Sequence, residues 1–218
     1  MSKALVVFSG GQDSTTCLVW AMKKFEQVFA LTFDYGQRHR IEIEQAKKIA
    51  KICGVNHEVM SFDLFSKLSK NALTDTAVSI DAGSATELPS TFVPGRNLIF
   101  LSLAAIKAYQ LGISELVAGV CQTDYSGYPD CRNDFITSLE QSISLAMNKK
   151  FTIHTPLMWL TKGATVQLMK DLGKLDLLKE SHTCYEGFRP ACGKCPACLL
   201  RLKGFTEASI LDPLEYQS

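Results

Sequence analysis

The chain has 218 residues, of which 46% are hydrophobic and 21% charged, so we expect a soluble globular protein with one core and a single appendage. Its 23 basic and 22 acidic residues leave a formal net charge of +1, which excludes an overall positive charge as the basis of nucleic-acid binding. The longest apolar stretch, residues 98–106, is too short to span a membrane, and too few apolar residues follow Lys3 for a signal peptide. We therefore expect a cytoplasmic protein.

The first part of the chain alternates short apolar runs with amphipathic segments. Residues 4–8 form a continuous apolar run that is typical of a strand buried on both faces, and a helix follows the Gly-Gly turn after it. The pattern then predicts a strand over residues 28–33, a helix over residues 41–53 and a weaker strand over residues 57–62. This order predicts parallel strands joined by right-handed crossovers.

A long irregular segment separates these elements from the rest of the fold. Residues 71–95 are polar, small and punctuated by proline, which predicts a functional or mobile loop. The elements predicted beyond it are a helix over residues 97–111 with Asn97 as its N-cap, a strand over 116–120, a helix over 133–147, a strand over 151–154 and a helix over 162–172. Together they predict a doubly wound, mostly parallel open α/β sheet, in which ligands bind beyond the carboxyl ends of the strands.

An anion-binding turn is predicted at the end of the first strand, where residues 8–16, the phosphate loop, read FSGGQDSTT. Gly10 and Gly11 allow backbone amides to approach a ligand closely, and the N-terminus of the following helix favours negative charge. A Walker A loop is excluded because no Gly-Lys pair is followed by Ser or Thr, and a dinucleotide fingerprint is excluded because its third glycine is missing. An ordinary strand–helix turn is the remaining alternative.

The eight cysteines fall into a scattered set and a clustered set. The scattered residues are predicted to be small buried hydrophobic side chains: Cys17, Cys53, Cys121 and Cys131. The clustered residues have spacings that suit a closed tetrahedral zinc site: Cys184, Cys192, Cys195 and Cys198. An iron–sulfur cluster and a sulfur-relay role are the alternatives, the first lacking the C-x₃-C-P segment of bacterial ferredoxins. With four cysteines at hand, His182 is predicted to lie outside the set of ligands.

The phosphate loop resembles the SGGxDS signature of the ATP pyrophosphatase, or PP-loop, group. The resemblance implies an adenine nucleotide α-hydrolase-like sheet that binds ATP with Mg²⁺, and an acceptor oxygen that attacks the α-phosphate with release of AMP and pyrophosphate. The residues implied to bind ATP are Phe8, Ser9, Gly10, Gly11, Gln12, Asp13, Ser14, Thr15, Thr16, Cys17 and Leu18. The loop alone does not specify the acceptor.

Four stretches further along the chain narrow this resemblance. They are residues 33–39 (FDYGQRH), 91–97 (TFVPGRN), 119–132 (GVCQTDYSGYPDCR) and 155–159 (TPLMW). With the phosphate loop and the clustered cysteines, they resemble the 7-cyano-7-deazaguanine synthase family of queuosine biosynthesis over about residues 4–205. The resemblance implies an ATP-dependent carbon–nitrogen ligase that converts 7-carboxy-7-deazaguanine and ammonia to the nitrile through adenylated intermediates, with one structural Zn²⁺ per chain.

The resemblance also implies roles for individual side chains. The residues expected to be catalytic are Asp13, Arg96, Asp130 and Arg132, with Asp13 on magnesium. Those expected to bind the substrate are Tyr35, Arg38, Arg96, Asp124, Tyr125, Tyr128 and Asp130, in which carboxylates accept from a guanine-like N–H edge and tyrosine rings stack on its face. His39 is a candidate general base and Lys162 a candidate for neutralising phosphate charge. A solvated loop side chain is the alternative for each of them.

We predict an ATP pyrophosphatase-type domain over residues 1–180 and a four-cysteine zinc module over residues 181–218 packed on it. The expected partners are small molecules and a second copy of the chain, with no nucleic acid and no membrane.

Two alternative functions remain. A tRNA-modifying adenylating enzyme, of the thiolase or lysidine synthase type, needs a basic face or an added RNA-binding domain. A zinc-stabilised adenine-nucleotide sensor would bind ATP without turning it over.

Overall fold

The computed structural model describes residues 1–38, 40–68, 71–75, 77–80, 88–123 and 128–217. The strands are β1 (Lys3–Val7), β2 (Gln27–Asp34), β3 (Asn56–Ser61), β4 (Glu115–Val117) and β5 (Thr152–His154). The helices are α1 (Gln12–Lys24), α2 (Ile41–Cys53), α3 (Leu64–Leu68), α4 (Arg96–Gln110), α5 (Asn133–Ala146), α6 (Lys162–Asp171) and α7 (Pro196–Glu207), with 3-10 helices at Pro129–Cys131 and Leu175–Lys179. None of the helices in these ranges is long and apolar enough to cross a membrane.

Both faces of the sheet are covered, as the apolar sequence of β1 predicts. The strands lie in the order β3-β2-β1-β4-β5, and every neighbouring pair is parallel. Leu5 packs into the core beside α4 and α5, whereas Ala4 and Val6 pack toward α1, α2, α6 and α7. The predicted doubly wound α/β fold is therefore confirmed. The winding direction reverses between β1 and β4, and such a switch point leaves a crevice beyond the strand ends.

The predicted strands and helices are present, with ends shifted by a few residues. β4 ends at Val117 rather than at residue 120, because the chain beyond it leaves the sheet and passes the phosphate loop. A Cβ on Gly119 would lie only 3.2 Å from the carbonyl carbon of Asp13. The prediction that Asn97 caps α4 is wrong: Gly95 holds that position with a φ of 70°. The side-chain amide of Asn97 instead donates to the Asp130 carbonyl, in the 3-10 helix Pro129–Cys131.

Sequence periodicity missed α3, α7 and both 3-10 helices. α7 begins at Pro196 inside the cysteine-rich segment, where small and thiol side chains obscure the helical pattern. Of the scattered cysteines, Cys17 and Cys121 are buried as predicted, whereas Cys53 and Cys131 are only half-buried. The expectation of four buried thiols outside the cluster is therefore correct for two of them.

The C-terminal segment shares the core of the α/β sheet. α7 crosses α6 so closely that a Cβ on Gly204 would lie 2.8 Å from the Cβ of Lys162. Phe205 of α7 belongs to the apolar core beneath α1 and α2. The guanidinium of Arg201 is buried and paired with Asp212, through Nε–Oδ2 and Nη2–Oδ1 distances of 2.7 and 2.8 Å. The division at residue 180 remains a prediction, and these contacts join its two parts through one packed interface.

Candidate active site

The phosphate loop presents hydrogen-bond donors at the switch point between β1 and β4. Gly10 has a φ of 85°, in the left-handed region that favours glycine, and a Cβ there would lie 2.6 Å from the carbonyl oxygen of Glu42. Ser9 and Ser14 brace the turn, since their Oγ atoms are 3.1 Å apart and the Ser9 Oγ accepts from the Gly11 amide at 3.3 Å. The amides of the first helical turn point out of the N-terminus of α1, where the helix dipole favours an anion.

Three buried polar atoms beside this loop have no hydrogen-bond partner in the described part of the chain. They are Gln12 Nε2, Asp13 Oδ1 and Thr15 Oγ1. The other carboxylate oxygen of Asp13 is 2.6 Å from Lys162 Nζ, and both side chains are mostly buried. Buried polar atoms are normally hydrogen-bonded, and Gln12 Nε2 and Asp13 Oδ1, which belong to residues that line the cavity described below, fit a ligand that brings both acceptors and a cation. The loop therefore fits ATP with Mg²⁺.

A cavity of about 340 Å³ extends from the phosphate loop across the carboxyl ends of β1, β2 and β4. The predicted site residues that line it are Phe8, Ser9, Gly11, Gln12, Asp13, Ser14, Tyr35, Arg38, Arg96 and Tyr128. Its wall also includes Phe33, Phe100 and Tyr185, which give one end of the cavity an aromatic character. The volume lies at the lower end of the range of small-molecule sites.

The remaining residues of the predicted ATP-binding set lie behind the cavity: Gly10, Thr15, Thr16, Cys17 and Leu18. Cys17 and Leu18 pack in the apolar core, and the Thr16 hydroxyl donates to the Gln12 carbonyl at 3.0 Å. Gly10 precedes α1 and packs against α2, and the other four support the loop from within α1 rather than face the cavity. Three further predicted residues lie outside the described residues: His39, Asp124 and Tyr125.

The cavity also contains a cation, Arg96, with tyrosines around it. The Arg96 guanidinium carbon is 5.7 Å from the centre of the Tyr128 ring. Burial raises the pKa of Tyr35 to about 12, against the opposing effect of the nearby Arg96 charge. Burial likewise raises the pKa of Tyr185 above its ordinary range. These phenols therefore stay protonated near neutral pH, and Arg96 stays a full positive charge available to an anionic ligand.

The four clustered cysteines have the geometry of a metal site. The sulfurs of Cys184, Cys192, Cys195 and Cys198 all lie within 4.8 Å of one another, and all four residues are buried. The Cys192 and Cys198 sulfurs are 3.9 Å apart, close to the ~3.8 Å edge of a tetrahedron with metal–sulfur bonds of about 2.3 Å. Hydrogen bonding with Cys198 lowers the pKa of the Cys195 thiol, which favours a thiolate. The set therefore fits a divalent metal ion.

Comparison with known proteins identifies the family. Residues 3–209 match the sequence model of the family described as queuosine biosynthesis protein QueC. The chain belongs to this family. Among its relatives, the 7-cyano-7-deazaguanine synthase of Laribacter hongkongensis (strain HLHK9) is 55% identical over 97% of this chain and 93% of the relative. The 7-cyano-7-deazaguanine synthase of Bacillus subtilis (strain 168) is 54% identical over 96% of both chains. The predicted family is confirmed.

Solved structures share the fold of this QueC-family chain at low sequence identity. The crystal structure of a predicted subunit of tRNA methyltransferase from Methanocaldococcus jannaschii superposes with a TM-score of 0.53, at 22% identity over 78% of this chain and 75% of that one. A 4-thiouridine synthetase, solved with RNA and bound ATP, superposes with a TM-score of 0.52, at 16% identity over 95% of this chain and 50% of that one. At these identities the likeness concerns the fold alone.

Two residues that the family resemblance implied to be catalytic lie away from the cavity wall. The Asp130 carboxylate accepts from the backbone amide of Asn97 at 2.9 Å, at the first turn of α4. Its negative charge also acts to raise the pKa of the nearby Arg96 guanidinium. Arg132 is exposed and immediately precedes α5. Asp130 thus holds the end of α4 that carries Arg96, whereas the structure gives Arg132 no contact with the cavity. Their catalytic roles remain predictions.

The sequence reading missed a carboxylate that faces the cavity. Glu42, in the first turn of α2, lines the cavity and accepts a hydrogen bond from Gln37 Nε2 at 3.2 Å. Burial raises the pKa of Glu42 to about 7, although this hydrogen bond and the Arg96 charge act to lower it. An acidic residue at the start of an amphipathic helix is usually a solvated partner of the helix dipole, so the sequence offered no sign of its burial.

The segment before the first cysteine of the cluster connects the metal site to the phosphate loop. The backbone amide of His182 donates to the Gly10 carbonyl at 2.9 Å, and its Nε2 atom is 2.9 Å from the Cys184 carbonyl. His182 is buried, so the prediction of a residue near the cluster but outside the ligand set agrees with its position. Tyr185, one residue beyond Cys184, lines the cavity.

Proposed function

We propose that this chain uses ATP to convert 7-carboxy-7-deazaguanine and ammonia to 7-cyano-7-deazaguanine. Relatives that carry the name of this synthase match almost the whole chain at 53–55% identity. The observation that carries the proposal is the arrangement of the cavity, which joins a phosphate loop with orphaned polar atoms to an arginine among aromatic side chains. One end suits a nucleoside triphosphate and the other suits an aromatic carboxylate.

At the first end, the phosphate loop binds the phosphates of ATP. The loop amides and the hydroxyls of Ser9 and Ser14 donate to phosphate oxygens, and Lys162 adds a positive charge beside them. Asp13 Oδ1, which has no hydrogen-bond partner among the described residues, is the oxygen that would hold Mg²⁺. When bound, the magnesium ion neutralises charge on the leaving pyrophosphate.

At the other end, Arg96 binds the 7-carboxylate of the deazapurine. A guanidinium recognises a carboxylate through paired hydrogen bonds, and the Tyr35 hydroxyl and the face of the Tyr128 ring restrict its orientation. Aromatic rings of Phe33 and Phe100 offer flat apolar surfaces for the fused ring. The carboxylate and the phosphate loop thus share one cavity, in which a carboxylate oxygen can reach the α-phosphorus of ATP.

The chemistry requires two activations of the same carbon. A carboxylate oxygen attacks the α-phosphorus of ATP, pyrophosphate leaves and an acyl-adenylate forms. Ammonia then attacks the acyl carbon, AMP leaves and the amide remains. The amide oxygen then attacks the α-phosphorus of a second ATP and pyrophosphate leaves. Loss of two protons and AMP from this intermediate gives the nitrile. The protein contributes positioning and stabilisation of charge on phosphorus, to which Lys162 and the loop amides are suited.

The four-cysteine site is assigned a structural zinc ion. Four thiolates complete a tetrahedral shell and leave no open position for a substrate. Cys195 caps α7 and Cys198 lies in its first turn, so the helix dipole also favours the anionic sulfurs. The zinc ion then fixes the segment that carries His182 and Tyr185 against the cavity. We further propose free ammonia as the nitrogen source, a homodimer as the assembly and the cytoplasm as the location.

A direct assay tests the proposed reaction. Purified protein is incubated with ATP, Mg²⁺, ammonium and 7-carboxy-7-deazaguanine, and the deazapurine and nucleotide products are followed by mass spectrometry. We expect the nitrile together with AMP rather than ADP. A tRNA-modifying enzyme would instead consume ATP only with tRNA, and a nucleotide sensor would bind ATP without turnover. Neither alternative is favoured by the names of the relatives. If no AMP forms in response to the deazapurine, the proposed synthase activity is refuted.

A further inference from the structure

The cavity contains a carboxylate that the phosphate chemistry does not require. Among the described lining residues, the acidic side chains are Asp13 and Glu42. Asp13 belongs to the phosphate loop, where Lys162 holds one of its oxygens at 2.6 Å. Glu42 enters from α2, beyond the point where its backbone carbonyl packs against Gly10. A part of a ligand other than the phosphates is therefore the expected partner of the Glu42 carboxylate.

The position of the Glu42 carboxylate is fixed by a buried glutamine. Gln37 Oε1 accepts from the Tyr35 amide at 2.8 Å, so its amide group has a defined orientation. The Gln37 Nε2 group then donates to the Phe33 carbonyl at 3.1 Å and to Glu42 Oε1 at 3.2 Å. The turn after β2 thus uses one side chain to tie the strand end to the carboxylate. Such a brace is the arrangement expected of a ligand-reading group rather than of a solvated surface acid.

The ring system of the proposed substrate supplies the matching donors. A 7-deazaguanine has a ring N–H and a neighbouring exocyclic amino group on its six-membered ring, and the two N–H bonds point the same way. A carboxylate can accept both at once, as it does from an arginine fork. The adenine edge of ATP offers one N–H beside a ring nitrogen lone pair, which a carboxylate repels. The two-donor edge is therefore the better partner for Glu42.

We propose that Glu42, oriented by Gln37, determines specificity for the 2-amino-pyrimidinone edge of the deazapurine. This inference rests on the proposed function. Phe33, near the end of β2, and Phe100, in α4, line the same cavity with ring centres 4.4 Å apart, and give the substrate ring an apolar surface. Arg96 then takes the opposite, carboxylate-bearing side of the substrate. Burial also raises the pKa of Glu42 to about 7, and two N–H donors would favour its ionised form.

Steady-state kinetics of two matched variants test this role. Glu42→Gln keeps the shape of the side chain but places an amide donor opposite one substrate N–H. We expect the KM for 7-carboxy-7-deazaguanine to rise by about 100-fold, with the KM for ATP changed less than about threefold. Glu44→Gln removes an exposed acid of the same helix, which pairs with Lys47, and should leave both constants unchanged.

A substrate lacking one donor separates recognition from a structural effect. 7-Carboxy-7-deazahypoxanthine keeps the ring N–H but lacks the 2-amino group. The unaltered protein should discriminate against it by at least about tenfold in kcat/KM, and Glu42→Gln should lose most of that discrimination. Equal discrimination by both proteins would overturn the proposal, as would a rise in the KM for ATP that matches the rise for the deazapurine. Nitrile formation by the unaltered protein with normal kinetics in Glu42→Gln would overturn this inference alone. No nitrile from the unaltered protein would overturn the proposed function as well.

Discussion

The raised pKa of Glu42 makes the stability of the protein depend on pH in a way that one substitution should remove. The pKa rises from an ordinary value of 4.5 to about 7, with burial as the main cause and with Gln37 and Arg96 opposing it. Between these two values the unfolded chain has released a proton that the folded chain retains. The contribution of this group to the free energy of unfolding is therefore fully present below about pH 4.5 and declines as pH rises to about 7.

The size of the effect follows from the shift. Each pH unit inside this window removes about 1.4 kcal/mol, so between about pH 5.5 and about pH 8 the group removes about 2 kcal/mol. Glu42→Gln keeps an oxygen that accepts from Gln37 but cannot ionise. We therefore expect the free energy of unfolding of the variant, relative to the unaltered protein, to increase by about 2 kcal/mol over that pH range.

Urea unfolding at the two pH values measures this difference. All other titrating groups, including the clustered thiols, are common to both proteins and cancel in the comparison. Glu44→Gln, at an exposed position of the same helix, serves as the control and should show the same difference from the unaltered protein at both pH values. A Glu42→Gln difference that does not change with pH would show that Glu42 ionises normally, and the reasoning from its burial would be wrong.

Three further substitutions test the site and its supports. Gly10→Ala places a Cβ 2.6 Å from a backbone carbonyl, so ATP affinity measured by calorimetry should fall at least about tenfold, whereas Gly36→Ala, with a φ of 80° and open space, should leave it unchanged. Lys162→Met removes a buried cation beside the phosphates and the partner of Asp13, so AMP formation should slow by about 100-fold and Tm should fall; an unchanged rate in the folded variant would contradict the proposed role. Cys198→Ala should lose the metal by elemental analysis and lower Tm by roughly 10 °C, while Cys53→Ala retains both.

The strands and most helices could be predicted because local patterns decide them. β1 is a continuous apolar run, and α2 repeats apolar residues at helical spacing, so each element needs little information from the rest of the chain. The phosphate loop could be predicted for a similar reason, since its glycines and hydroxyls are contiguous. The four cysteines were recognisable because metal ligands of this kind keep short spacings in sequence.

The family resemblance, and not a local pattern, predicted Tyr35, Arg96 and Tyr128 at the aromatic end of the cavity, and it missed Tyr185. This end is assembled from distant segments. Arg96, Tyr128 and Tyr185 come from separate parts of the chain, and only the docking of the C-terminal segment brings the last of them to the other two. The burial of Glu42 depends on Gln37, which folds back from the turn after β2. Asp130, expected from its motif to read the substrate, instead holds the first turn of α4. Such side-chain pairings are tertiary and leave no periodic trace.

The hydrogen bond from the His182 amide to the Gly10 carbonyl has a consequence for any attempt to define a minimal ATP-binding fragment. A chain shortened at residue 180 would retain every strand and the whole phosphate loop. It would nevertheless leave the Gly10 carbonyl without its donor and the core without the Phe205 ring. The nucleotide end of this protein is thus completed by its last forty or so residues, and a nucleotide-binding half and a metal-binding half expressed separately should not reconstitute by simple mixing.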